Sequence, residues 1–101
     1  MAATLQVIYP ADPGTRFDHD YYTGTHLPLV EAKMGAHIRD ALVVRGSGAP
    51  GGGPAPFHAV ATLIFADAAA RDAALAVAGP VVEDIANFTD CTPQMLLGDT
   101  L

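Results

Sequence analysis

The chain has 101 residues, 50% of them hydrophobic and 16% charged, with a formal charge of −6 at neutral pH. That length sets a single domain over residues 1–101, and the composition is too apolar for a disordered chain. The negative balance works against nucleic acid and anionic membrane as partners, and no apolar run reaches the length of a membrane span.

Cys91 is the sole cysteine, so no intrachain disulfide forms, and with no charged leader in front of an apolar run a reducing cytoplasm is the expected setting. Thr4–Tyr9 is a short β-rich run ended by Pro10, with Leu5, Val7 and Tyr9 on one face and Thr4, Gln6 and Ile8 on the other. Ala11-Asp12-Pro13-Gly14 carries turn chemistry.

A helical segment is predicted from about Asp18 to Met34, with Gly35 as its stop. Asp18 suits the N-cap, Asp20 complements the dipole, and Phe17 and Tyr22 occupy the two positions of a hydrophobic staple. Tyr22, His26 and Val30 share one face at i, i+4, i+8. Pro28 removes a donor, which predicts a kink or restart near Thr25–Leu27 with backbone groups left for His26 to bond.

Ile38–Arg45 alternates as a second strand, and GSGAPGGGPAP over Gly46–Pro56 reads as a long hairpin loop that packs no core. Phe57–Phe65 is the strongest strand pattern. Phe57, Ala59, Ala61, Leu63 and Phe65 form one face and His58, Val60, Thr62 and Ile64 the other, both too apolar to face water. Asp67 caps an alanine-rich helix, Ala68–Ala78, for which the small Ala59 and Ala61 leave room. Val81–Ala86 adds a helical turn or two after Gly79-Pro80, and Cys91–Leu97 is the last strand.

The order β-α-β-β-α-β predicts an α+β ferredoxin-like sandwich, with both helices on one side of a four-stranded antiparallel sheet. The other side, with Gln6, Ile8, His58, Val60 and Ile64, is then bare. Pairing two sheets face to face buries it, so a homodimer is expected, with a cavity between sheet and helix or between subunits.

Candidate chemistry gathers between Arg16 and Val30. His26 is the best acid/base, because an imidazole exchanges protons near neutrality without large tuning. Its structural alternative is a bond to the backbone at the Pro28 kink. Tyr22 and Tyr21 can each orient a substrate through a phenol, although tyrosines at helical spacing are more often core or dimer contacts. Gln6 and His58, assigned to one sheet side, can each supply a second polar group, and a strand-end histidine is more often simply solvated. Asp18 and Asp20 are explained as caps. His19, Asp20 and His26 do not converge on a helix, so no metal is expected. Cys91 reads as an inert buried thiol, and the glycine run does not sit between strand and helix as a phosphate loop must, so no nucleotide cofactor is expected.

Tyr9-Pro10…Pro13-Gly14-x-Arg16-Phe17-Asp18-x-Asp20-Tyr21-Tyr22-x-x-x-His26-x-Pro28-Leu29-Val30, with Asn87-Phe88-Thr89-Asp90-x-x-Pro93 near the end, resembles the EthD family. These are small dimeric α+β barrel proteins named for a component of ethyl tert-butyl ether degradation. Phe88 stands where that pattern suggests Tyr, and Leu96 where it suggests a polar residue such as Gln. The resemblance implies the fold and the dimer. It is compatible with isomerases, cyclases, dehydratases, small monooxygenases and proteins labelled EthD family reductase, among which fold does not choose.

Two functions follow as expectations. One is a cofactor-independent enzyme that moves a proton on an apolar carbonyl-bearing metabolite through His26, with Tyr22, Gln6 and His58 as pocket groups. The other is a non-catalytic accessory or ligand-binding protein of an oxidative degradation system, partnered with an oxygenase, with an EthD-type reductase or oxygenase behind it.

Overall fold

Residues 1–101 are described by a computed structural model. Strands β1 (Ala3–Pro10), β2 (Asp40–Arg45), β3 (Phe57–Phe65) and β4 (Gln94–Asp99) form one antiparallel sheet in the order β2-β3-β1-β4. Helices α1 (His19–Tyr21), α2 (Leu27–Met34), α3 (Ala68–Ala76) and α4 (Gly79–Asp84) lie between the strands in sequence, completing the ferredoxin-like βαββαβ arrangement. No helix is long and apolar enough to cross a membrane.

The first crossover starts as its sequence dictates. Asp18 accepts the Tyr21 N–H at 3.0 Å, and Phe17 meets Tyr22 at 5.0 Å between ring centroids, closing the staple. The expected kink or restart takes the form of a π-helical turn over Tyr22–His26, in which the Leu27 N–H bonds the Tyr22 carbonyl, with the α-helix restarting at Leu27. This wider turn ends as α2 begins, with Pro28 in its first turn, where the missing N–H costs little. α2 ends at Met34 with Gly35 as its C-cap, and a 3₁₀ turn, Gly35–His37, follows it and delays β2 from Ile38 to Asp40. β4 likewise starts at Gln94 and not at Cys91, which is buried in the core; Pro93, lacking an N–H, precedes the ladder.

Gly46–Pro56 joins two antiparallel partners as a hairpin loop. A side chain at Gly46 would run into the Phe57 carbonyl, so only glycine closes the base of that hairpin.

The helix side of the sheet carries two buried clusters. One is mostly aliphatic: Leu5, Met34, Leu63, Phe65 and Val81 pack with Ala3, Ala74 and Ala78. The other is aromatic, with Tyr9, Tyr22 and Phe88 against Ala59, Ile85 and Cys91. Ala59 thus makes room for rings and not for the alanine-rich helix. On the opposite side of the sheet Gln6, Ile8, Val60 and Ile64 are half-buried, while Leu42 and Leu96 are exposed at 63% and 53%.

Candidate active site

Between the two clusters lies an apolar cleft of about 580 Å³, counting its open mouth. Its walls come from both clusters and from the first crossover: Leu5, Leu63 and Val81 at one end, Tyr9, Tyr22 and Ile85 at the other, with His26 among them. His26 is the one lining residue that is neither aliphatic nor a phenol.

The π turn sets the imidazole. His26 is buried, its ring lies at 17° to the Tyr22 ring with centroids 5.6 Å apart, and Phe88 packs against it at 4.5 Å. Its Nδ1 is 2.9 Å from Asp84 Oδ2 at the end of α4, in a pair whose side chains are 4% and 11% exposed. The other carboxylate oxygen accepts from the Tyr21 hydroxyl at 2.6 Å and the Asn87 amide at 2.9 Å. Burial alone would raise the Asp84 carboxyl, but the hydrogen bonds from Tyr21, Asn87 and His26, with the His26 charge, hold it below the usual carboxylate range. Asp84 is therefore ionised and only accepts, so Nδ1 carries a proton and Nε2 is the free nitrogen of the neutral ring.

Nε2 has no protein partner, yet among buried side-chain nitrogens and oxygens only Arg71 Nε is sealed off without one. Nε2 is therefore reached from the cleft. The expected bond from His26 to backbone groups at a kink is not formed, since the π turn keeps the backbone bonded and Asp84 takes the ring.

Tyr22 is buried beside His26, and burial pushes its phenol up to about 12, with a hydrogen bond from Tyr9 opposing the rise. Tyr9 is held well above the ordinary phenol range, by burial first and then by Tyr22. Both phenols therefore stay protonated at neutral pH and serve as donors.

The structure brings Tyr22 and His26 together and leaves Gln6 and His58 apart from them. Gln6 lies on the far side of the sheet, bonded to Thr62 Oγ1 at 3.2 Å and paired with Leu96. His58 is not on that side. Pairing slips between Tyr9, which faces Ala59, and Pro10, which faces Phe57, so His58 is the extra residue of a bulge. Its ring stacks on Phe17 at 5.4 Å and meets Thr15 Oγ1 at 3.0 Å, outside the cleft.

Sequence reasoning singled out Tyr21 for its phenol but found neither Asp84 nor the bonds that Tyr21 and Asn87 make to it. The one signal for Asp84 is an acid at the end of Gly79-Pro80-Val81-Val82-Glu83-Asp84, and nothing local distinguishes it from Glu83. No group of three or more histidine, cysteine or acidic side chains converges as a metal site.

A family model described as EthD domain matches residues 15–92. Among solved structures, an EthD-like protein from Ralstonia eutropha is 33% identical, with a TM-score of 0.87 over 97% of this chain and 90% of that one. An ethyl tert-butyl ether degradation (EthD) family protein from Bacillus halodurans is 19% identical, with a TM-score of 0.69 over 100% of each chain. HapK from Hahella chejuensis, also 19% identical, superimposes at 0.61 over 100% of this chain and 93% of its own, a likeness of fold. No curated protein matches.

Proposed function

This chain belongs to the EthD family, and on that premise we propose that it is a small enzyme transferring a proton on an apolar carbonyl-bearing metabolite. The observation that carries the reading is the His26–Asp84 pair at 2.9 Å with the second imidazole nitrogen open to an otherwise apolar cleft. His26 Nε2 takes the proton from a carbon beside the carbonyl. The imidazolium that forms is stabilised by the Asp84 carboxylate, and the same nitrogen returns the proton at a new position. Tyr22, a protonated phenol on the same wall, donates to the carbonyl oxygen as negative charge develops there. The low polarity of the cleft strengthens both interactions.

The test is solvent deuterium uptake at the position α to the carbonyl in a panel of small lactones and aromatic ketones. Wild type is expected to exchange at least one of them and His26→Gln to lose about a hundredfold or more, the scale of general acid–base assistance. Equal exchange by a folded His26→Gln protein would sink the reading.

A second reading is a ligand-binding accessory protein of an oxidative degradation system. Leu75, Val82 and Met95 favour it, since these apolar residues at the cleft stay 37%, 51% and 50% exposed and offer a partner a surface. Stoichiometric binding of the same ketones without deuterium uptake would select it. In either case we place a second copy of the chain against the open sheet face, where Leu42, Val44 and Leu96 stand exposed; light scattering checks the dimer.

A further inference from the structure

We infer that a second cleft, between the first helical turn and the end of β2, binds the carboxylate of a small organic acid. It is lined by His19, Asp20, Tyr22, Leu27, Val43 and Arg45 among others, and measures about 520 Å³ counting its open mouth. Tyr22, Leu27 and Val43 separate it from the His26 cleft and line both. It is a distinct site that does not depend on the His26 chemistry.

Arg45 is the permanent cation of this cleft. The chain's ion pairs are Arg16–Asp90 and His26–Asp84, so no carboxylate of the protein closes on Arg45, and its guanidinium makes no side-chain hydrogen bond. His19 stands beside it, half-buried, with its ring 4.6 Å from Phe17. On the other flank His58 also stacks on Phe17. The Thr15 hydroxyl gives its hydrogen to the Asp12 carbonyl at 2.6 Å, so His58 Nε2 must donate to Thr15, which leaves Nδ1 free to take a proton.

In a chain of net charge −6 these three groups therefore gather with no carboxylate in an ion pair with any of them. His19 registers this. Burial lowers its pKa, Arg45 and His58 lower it further, and the opposing Asp18 and Asp20 do not make up the difference. An anion against Arg45 relieves that repulsion. The planar guanidinium matches a carboxylate in two parallel hydrogen bonds, and Val43, Leu27 and the Tyr22 ring receive a short alkyl or aryl group behind it. Asp20 on the same wall and Asp18 nearby repel a second negative charge, which selects a monoanion over phosphate.

The experiment follows the histidine ring signals by NMR, with His19 assigned through His19→Gln, while butyrate, butyramide or inorganic phosphate is added. Butyrate is expected to raise the His19 titration midpoint and butyramide to leave it in place. Arg45→Gln, a change on an exposed edge-strand side chain, should weaken butyrate binding about tenfold, the scale of a charge-assisted pair. His26→Ala should bind butyrate as wild type does, so that failure of proton transfer and failure of this site remain distinguishable. A silent His19, undiminished binding in Arg45→Gln, or a response to phosphate equal to that with butyrate would each overturn the inference.

Discussion

The two ends of the buried core are built from different materials and do different things. The aliphatic end, around Leu63, Phe65 and Ala74, has no polar side chain to satisfy and owes its order to close packing alone. The aromatic end sets Tyr9 and Phe17 edge-on to each other and to Tyr22 and Phe88 at 5.0–5.7 Å and carries His26 with them. A chain of polar contacts enters the interior there: Nδ1 meets Asp84, and Asp84 accepts from Tyr21 and Asn87. One end holds the fold, and the other holds a proton-carrying group in place.

The sharpest way to break that division is to remove one ring from each end. Phe65→Ala and Phe88→Ala each delete a fully buried side chain and should each cost about 3–5 kcal/mol in urea unfolding. They should differ in what else they disturb. Phe88 packs on the imidazole, so Phe88→Ala should move the His26 ring signals in NMR, whereas Phe65→Ala should leave them in place. Equal disturbance from both would mean that the two ends are one unit.

Asp84→Asn sharpens the comparison from the polar side. Tyr21 and Asn87 both donate to Oδ1, so an asparagine would turn its carbonyl toward them and its NH₂ toward His26. The imidazole would then have to accept at Nδ1, moving its proton to Nε2 and removing the base from the cleft. Deuterium exchange on a responsive ketone should fall about a hundredfold while the fold survives. Exchange at the wild-type rate would show that Asp84 does not set the tautomer.

The aromatic end should also fail first in alkali. Tyr22 ionises at about 12 in the folded protein and Tyr9 higher still, against about 10 for a free phenol. A raised folded pKa means that this stability is fully present below pH 10 and is lost as pH rises through 12. For Tyr22 alone the loss approaches about 3 kcal/mol. Tyrosinate absorbance should thus appear late and together with unfolding, and Tyr22→Phe should flatten the alkaline limb. Free phenolate at pH 10 in a folded protein would contradict the packing.

Much of this was legible in the sequence because the cues are local. Phe57–Phe65 alternates without a break, and Asp18 and Asp67 cap as their positions demand. His26 and Tyr22 were legible as a pair by spacing. Asp84 was not, because its role depends on α4 returning 58 residues later to the same helix, a long-range contact that no local pattern encodes. His58 was misplaced for the same reason. Strict alternation assigns it to the far side of the sheet, and only the pairing of Pro10 with Phe57 reveals the extra residue that turns its ring onto Phe17.

The smallest expected effect tests whether Asp84 is held from outside as firmly as it holds His26. Tyr21→Phe removes one of the two donors on Oδ1 and leaves the aromatic ring where it packs against Phe88. The Tyr21 hydroxyl lies at the outer end of this chain of contacts, so the cost in stability should be the smallest of the set. The pH dependence is more informative than the size. A carboxyl held below its ordinary value contributes stability that is present above about pH 4 and is lost as pH falls through its folded pKa. Burial opposes the ionised form, and Tyr21 supplies the largest compensation, so Tyr21→Phe should move the start of acid unfolding toward higher pH. Asp84→Asn, which has nothing to titrate there, should lack this component altogether. If Tyr21→Phe instead kept the wild-type acid limb, Asn87 and His26 would suffice to hold the carboxylate, and Tyr21 would belong to the packing of the aromatic end and not to its polar chain.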